Sequence, residues 1–292
     1  MFEGVYTALI TPFKNDAIDY DALERIIEAQ VAGGVDGVVP VGTTGESPTV
    51  SLEEHKDYIK RVVALVKKRI KVIAGTGSNS TKEAVYLSKA AEDYGVDGVL
   101  LVNPYYNKPP QRGLVAHFAG VASSISIPCV LYNIPGRTGI NFLPESIKEL
   151  LEKSPNIVAI KEASGDIAQM MRVIELCGDR LTLLSGDDNL LLPVLAIGGK
   201  GVVSVISNVL PADIKRVVTL FNEGKLEESR KAFYRLLPLC RAMFYETNPV
   251  PVKAAMEMLG YCGGEIRLPL VRISDDYRNK LRQELVKYGV KI

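Results

Sequence analysis

Gly34-Val35-Asp36-Gly37-Val38-Val39 returns almost unchanged as Gly95-Val96-Asp97-Gly98-Val99-Leu100. Each copy leads from a glycine turn into a short β-branched, apolar run, which reads as a buried strand. The two copies belong to runs spanning Val35 to Val41 and Val96 to Val102. Six further runs of strand length flank them: Val5 to Ile10, Ile70 to Ala74, Ile127 to Tyr132, Ile157 to Lys161, Leu181 to Ser185 and Gly201 to Ile206. Between the runs the apolar spacing turns helical. Ser51 to Val66 opens on a capping box of Ser51 with Glu54, Ser80 pairs with Glu83 in the same way, and a third helix covers Leu143 to Glu152.

Strict alternation of strand and helix implies right-handed βαβ units and a parallel sheet. Strands apolar on both faces fit a sheet with helices outside and packed side chains inside. Eight such units in a chain of 292 residues predict an α/β fold, a (β/α)8 TIM barrel. A doubly wound open sheet is the alternative. Against a dinucleotide site, Gly75-Thr76-Gly77 is followed by Ser80 where the third glycine belongs, and no Walker-type loop is present. After Ile206 the strands stop. Residues 1–210 are therefore expected to form the barrel core, and residues 211–292 a closing helix with a small helical appendage.

A formal net charge of +1 offers nothing to nucleic acid or an acidic membrane surface. No apolar run reaches membrane-spanning length. The four cysteines, 129, 177, 240 and 262, form no Cys-x-x-Cys pair. Cys129 and Cys177 lie in apolar surroundings and read as buried thiols, which fits a reducing compartment. The chain enters a strand directly after Met1-Phe2-Glu3-Gly4, so no signal or transit peptide is expected and a cytoplasmic location follows. His55 and His117 are far apart and have no ligand-like spacing; neither a metal nor a cofactor is expected.

In such barrels the chemistry collects at the C-terminal ends of the strands. Lys161 ends the sixth run. A lone lysine there usually carries its head into water. Held out of water, its pKa falls and the free amine becomes a nucleophile that forms Schiff bases with carbonyls. The neighbouring strand ends favour the second reading. The second ends in Gly42-Thr43-Thr44-Gly45-Glu46-Ser47, whose glycines admit a ligand and whose N–H groups, before a helix, suit a carboxylate. The fourth leads to Asn103-Pro104-Tyr105-Tyr106; adjacent tyrosines at a loop start are more often packing residues. The fifth gives Tyr132, which can pass protons, and Arg137, which can grip a carboxylate. The seventh ends in Ser185-Gly186-Asp187-Asp188.

Three segments carry a family resemblance: Gly42-Thr43-Thr44-Gly45-Glu46, Tyr132-Asn133-Ile134-Pro135-Gly136-Arg137-Thr138-Gly139 and Ile160-Lys161-Glu162-Ala163-Ser164-Gly165-Asp166. The chain resembles the 4-hydroxy-tetrahydrodipicolinate synthase (dihydrodipicolinate synthase) family of pyruvate-lysine class I aldolases. The likeness extends to Asn248-Pro249-Val250-Pro251-Val252-Lys253. It implies a lyase of diaminopimelate and lysine biosynthesis that condenses pyruvate with L-aspartate 4-semialdehyde. Lys161 would form the Schiff base, and Tyr132 would relay protons with Thr43 and Tyr106. Thr44 and the backbone near Val203 would hold the pyruvate carboxylate, Gly186 would join the substrate-binding set, and Arg137 would bind the carboxylate of the aldehyde. The family's Tyr106 position serves the neighbouring subunit, so the resemblance implies a homotetramer built as a dimer of dimers. L-Lysine feedback would act through Ser47, His55, Asn79, Glu83 and Tyr105; Pro48 and Leu52 depart from the regulated pattern. A sugar-acid aldolase or sialic-acid lyase would share Lys161, Tyr132 and the Gly-Thr-Thr-Gly turn, but Arg137 argues against both. A non-catalytic keto-acid binder would need neither nucleophile nor relay.

Overall fold

Gly34 and Gly95 carry the backbone through positive φ, +71° and +81°, just after helices α1 (Tyr20–Ala32) and α3 (Thr81–Asp93). A residue without Cβ takes that turn at no steric cost. Two residues on, each repeated aspartate makes the same pair of bonds. Asp36 N donates to Val5 O at 2.8 Å, and Val5 N donates to Asp36 Oδ2 at 2.7 Å. Asp97 N donates to Val72 O at 2.9 Å, and Val72 N donates to Asp97 Oδ2 at 2.8 Å. The repeat thus ties the entry of one strand to the entry of the strand before it. In the first copy these strands are β1 (Gly4–Ala8) and β2 (Gly37–Val39); in the second they are β3 (Lys71–Gly75) and β4 (Gly98–Val102).

The structure, a computed structural model, describes residues 2–292. The remaining strands are β5 (Cys129–Asn133), β6 (Ile157–Glu162), β7 (Thr182–Ser185) and β8 (Gly201–Ser204). The eight hydrogen-bond in the order β1-β8-β7-β6-β5-β4-β3-β2 and close a parallel barrel. This is the (β/α)8 barrel expected from the alternation. Every residue of β1, β2, β5 and β8 is buried, as strands covered on both faces must be. One element was not anticipated: Phe13–Lys14 pairs with Ala17–Ile18 in a small hairpin. Its turn residues Asn15 and Asp16 both adopt positive φ, which asparagine and aspartate tolerate.

The chain packs as two compact units, one built on Lys71–Val203 and the other on Gly4–Ile70 with Ser204–Ile292. In the first, helices α3, α4 (Gln111–Ala122), α5 (Pro144–Lys153), α6 (Ile167–Cys177) and α7 (Leu191–Ala196) alternate with the strands. The second holds α1, α2 (Leu52–Val66), α8 (Pro211–Asn222) and the later helices α9 (Leu226–Ala242), α10 (Val250–Met258) and α11 (Asp275–Tyr288). The capping box of α2 closes on both sides: Glu54 N donates to Ser51 Oγ at 3.2 Å, and Ser51 N to Glu54 Oε2 at 2.9 Å. That of α3 closes on one side only. Glu83 N reaches Ser80 Oγ at 3.4 Å, but Ser80 N donates to Ser78 Oγ instead, at 3.1 Å. The nearer serine has taken the donor that the Glu83 carboxylate would have used. All four cysteines are free, and Cys129, Cys177 and Cys240 are buried. Burial pushes the Cys129 thiol up to about 12, so it is an inert packing group.

Candidate active site

Within the unit built on Lys71–Val203, β5 and β6 pair so that Tyr132 lies opposite Lys161 and Asn133 opposite Glu162. Successive side chains on a strand point to opposite faces. Tyr132 and Lys161 therefore share one face, and Asn133 with Glu162 the other. Lys161 is 6% exposed, and its Nζ stands 4.0 Å from the centroid of the Tyr132 ring. An amine so placed is held out of bulk water beside a phenol, the pairing that carbonyl addition and its proton transfers require. Gly186 gives it room. A Cβ there would lie 3.2 Å from Lys161 Cε and 2.7 Å from Ala163 Cβ. The Gly186 N–H donates to Glu162 O at 2.7 Å, which fixes the close approach. Val203, in β8, is fully buried.

On the opposite face of the same strand ends lies a polar cluster. Asn133 Nδ2 donates to Glu162 Oε2 at 2.9 Å, Ser164 N donates to Oε1 at 2.7 Å, and Gln169 Nε2 approaches Oε2 at 3.3 Å. Asn103 Nδ2 donates to Asn133 Oδ1 at 2.7 Å, and Asn141 Nδ2 to Gln169 Oε1 at 2.6 Å. Glu162 is fully buried. Burial pushes its carboxyl up, while the donors around it pull the other way. The cluster joins the ends of β4, β5 and β6. Nothing in the sequence marks Asn103, Asn133, Asn141, Glu162 and Gln169 as members of one cluster, because single polar residues scattered along a chain carry no periodic signal.

Arg137 sits on a one-turn helix, Pro135–Thr138, begun by a proline at its first position and ended by Gly139 at φ +73°. Its side chain is exposed. Tyr106 is not a packing residue within this chain, contrary to the ordinary expectation for paired tyrosines. Tyr106 is 91% exposed and Tyr105 38%. Tyr106 holds φ +70°, a conformation non-glycine residues seldom take, and this turns it outward from the end of β4. The Tyr105 carbonyl accepts from Asn79 Nδ2 at 3.2 Å, and Asn79 O accepts from Asn107 Nδ2 at 2.8 Å. Glu83 is half-buried on the first turn of α3.

In the other unit, Gly42–Glu46 forms a tight turn after β2. Gly45 has no space for a side chain, since a Cβ would meet Val41 Cα at 3.0 Å and Leu9 O at 3.2 Å. Gly45 N and Ser47 N donate to Gly42 O, and Glu46 N to Thr43 O. Those N–H groups are occupied inside the turn, so the anion cradle expected from them narrows to the threonines. Thr44 is buried, and its Oγ1 accepts from Asn248 Nδ2 at 3.0 Å; Thr43 is half-buried. Ser47 begins a short 3-10 turn, Ser47–Thr49, and His55 is buried on α2.

The profile of the Dihydrodipicolinate synthetase family matches residues 1–288. The chain belongs to that family. Among its relatives is the 4-hydroxy-tetrahydrodipicolinate synthase of Leptospira biflexa serovar Patoc, 55% identical over 286 residues, 98% of this chain and 97% of the relative. The crystal structure of dihydrodipicolinate synthase from Aquifex aeolicus is 46% identical and superposes with a TM-score of 0.98 over 99% of each chain. That of the enzyme from Cyanidioschyzon merolae, with lysine bound, is 43% identical with a TM-score of 0.97, again over 99% of each chain.

As a dihydrodipicolinate synthetase family member, the chain carries these residues where the barrel rule places chemistry: Lys161, Tyr132 and Gly186 lie at or just beyond the ends of β6, β5 and β7. Thr43 and Thr44 follow β2, and Arg137 and Tyr106 follow β5 and β4. Among the described residues, no helix is long and apolar enough to cross a membrane.

Proposed function

We propose that this chain is the lyase that condenses pyruvate with L-aspartate 4-semialdehyde to 4-hydroxy-tetrahydrodipicolinate, through a Schiff base on Lys161. The carrying observation is the buried Lys161 amine 4.0 Å from the Tyr132 ring, in a chain of this family. Lys161 Nζ adds to the pyruvate ketone; the carbinolamine loses water to give the imine. Loss of a methyl proton gives the enamine, whose carbon attacks the aldehyde of the second substrate. The amine of that substrate then displaces Lys161 as the ring closes. Tyr132, with Thr43 and Tyr106, passes the protons that each step gains or releases. Thr44 and the backbone at Val203 hold the pyruvate carboxylate, Gly186 lies in the substrate-binding set, and Arg137 takes the carboxylate of the aldehyde.

The near-complete exposure of Tyr106 supports its donation to a second copy of the chain, within a homotetramer arranged as a dimer of dimers. Four free cysteines support a reducing, cytoplasmic setting. The lysine-bound relative supports feedback by L-lysine through Ser47, His55, Asn79, Glu83 and Tyr105. Leu52, exposed on α2, offers no polar contact, so inhibition is expected to be weaker than in strongly regulated members of the family. Initial rates with rising L-lysine test the feedback; a flat response into the millimolar range removes it.

Borohydride reduction in the presence of pyruvate tests the chemistry. The expected result is one pyruvate-derived adduct on the peptide carrying Lys161. An adduct elsewhere, or none, rejects the Schiff base. Turnover with L-aspartate 4-semialdehyde, beside N-acetylmannosamine and glyceraldehyde, separates this reading from the other aldolases.

A further inference from the structure

Asn248-Pro249-Val250-Pro251-Val252-Lys253 takes no part in the chemistry above, yet both its polar ends reach the Gly42–Glu46 turn. Asn248 Nδ2 donates to Thr44 Oγ1 at 3.0 Å. Lys253 Nζ donates to Glu46 Oε1, and the two side chains are 1% and 0% exposed. The other Glu46 oxygen accepts from Arg267 N at 3.1 Å. The Phe13 ring lies against both cations, with Lys253 Nζ and the Arg267 guanidinium each 4.2 Å from its centroid.

The turn held in this way is strained. Val41 and Glu46, at its two ends, have φ of +53° and +55°, and both are buried. Positive φ is uncommon outside glycine and an outlier for a β-branched residue. Such backbone persists only where its surroundings over-determine it. Stability alone does not explain the buried pair, because a well-packed apolar pair of similar volume often folds as well or better. Its geometry does explain it: the pair grips the side chain at one end of the turn while Asn248 grips the middle.

The direction of the Asn248 bond matters as well. Thr44 Oγ1 accepts from Asn248, so its own proton is turned elsewhere and can be donated to a carboxylate.

We propose that Asn248 and Lys253 are positioning residues for the pyruvate carboxylate, acting through Thr44 and Glu46. The inference rests on the reading of Thr44 as a carboxylate ligand. Lys253→Met alone leaves Glu46 buried and unpaired, and is expected to fold poorly. The double variant Glu46→Gln with Lys253→Met removes both charges together and is expected to fold. Its KM for pyruvate should rise about tenfold, with kcat changed far less, because a contact made equally in ground and transition states is lost. Asn248→Asp keeps the shape but substitutes an acceptor, which draws the Thr44 proton toward itself; its pyruvate KM should rise by a similar factor. The KM for L-aspartate 4-semialdehyde should stay near wild type in both. Wild-type pyruvate KM in Asn248→Asp, or in the folded double variant, overturns the inference, as does a fall in kcat at unchanged KM. Thr44→Val separates the two claims. If it leaves pyruvate KM unchanged, the ligand role of Thr44 fails, independently of whether the clamp variants respond.

Discussion

Tyr132 and Lys161 are register partners on adjacent parallel strands, and the lysine Nζ lies 4.0 Å from the centre of the tyrosine ring. Because partners in a parallel ladder share a face, one pairing places both the amine and the phenol. Tyr132→Phe keeps the ring beneath the amine and removes only the hydroxyl. Overall turnover should fall by a hundredfold or more, roughly the range for loss of a general acid–base. Borohydride trapping at long incubation should still reach Lys161. Wild-type turnover in Tyr132→Phe would remove the tyrosine from the relay.

Gly186→Ala should damage Lys161 without touching it chemically. The new methyl would stand 3.2 Å from Lys161 Cε and 2.7 Å from Ala163 Cβ. Overpacking of this kind costs about 1–3 kcal/mol, and part of it would appear as a displaced amine. The expected outcome is a modest drop in Tm and a slower pyruvate-dependent trapping rate. An unchanged trapping rate would show that the lysine tolerates the crowding.

Arg137→Ala should weaken use of L-aspartate 4-semialdehyde and leave imine formation intact. The side chain is exposed in the chain, so the loss belongs at the low end for a truncated charge partner, about 2 kcal/mol or roughly thirtyfold in KM. Normal KM for the aldehyde with slow trapping by pyruvate alone would show the role to be misassigned.

Tyr106→Phe should slow turnover while leaving Tm unchanged, since a side chain that is 91% exposed contributes little packing within its own chain. If the hydroxyl serves a second copy, activity should also fall on dilution below the dissociation range of the assembly. A fully active monomer at high dilution would dispose of the shared-tyrosine reading.

Arg267 donates to both oxygens of Glu54, at 2.8 and 2.7 Å, and holds its carboxyl down to about 2 against an ordinary value of 4.5. A carboxyl depressed by folding adds stability above its unfolded pKa, and that stability is lost as pH falls toward the folded value. Urea midpoints should therefore decline between about pH 5 and pH 2, and Glu54→Gln should flatten that decline. Equal slopes in the two proteins would place the acid sensitivity elsewhere.

The barrel was legible in the chain because eight apolar runs alternate with amphipathic helices, a pattern whose period survives without knowledge of any contact. The Gly-Val-Asp-Gly repeat marked strand entries, and the tertiary structure shows why: each aspartate bonds the preceding strand. The candidates Lys161, Tyr132 and Arg137 were legible for a related reason, since each closes or follows a strand and carries reactive or charged chemistry at the barrel end where sites collect. Other features depend on neighbours that sequence distance hides. Lys253 and Glu46 stand 207 positions apart, and nothing local to either says that they meet. The half-closed box at Ser80 turned on a serine two residues away that competed for the same donor. The cluster around Glu162 gathers amides from four separate segments. Periodicity and strand-end position are properties of the chain and can be read along it. Which polar groups find one another is decided only when burial removes water, and each donor must then take whichever acceptor the fold has brought within reach.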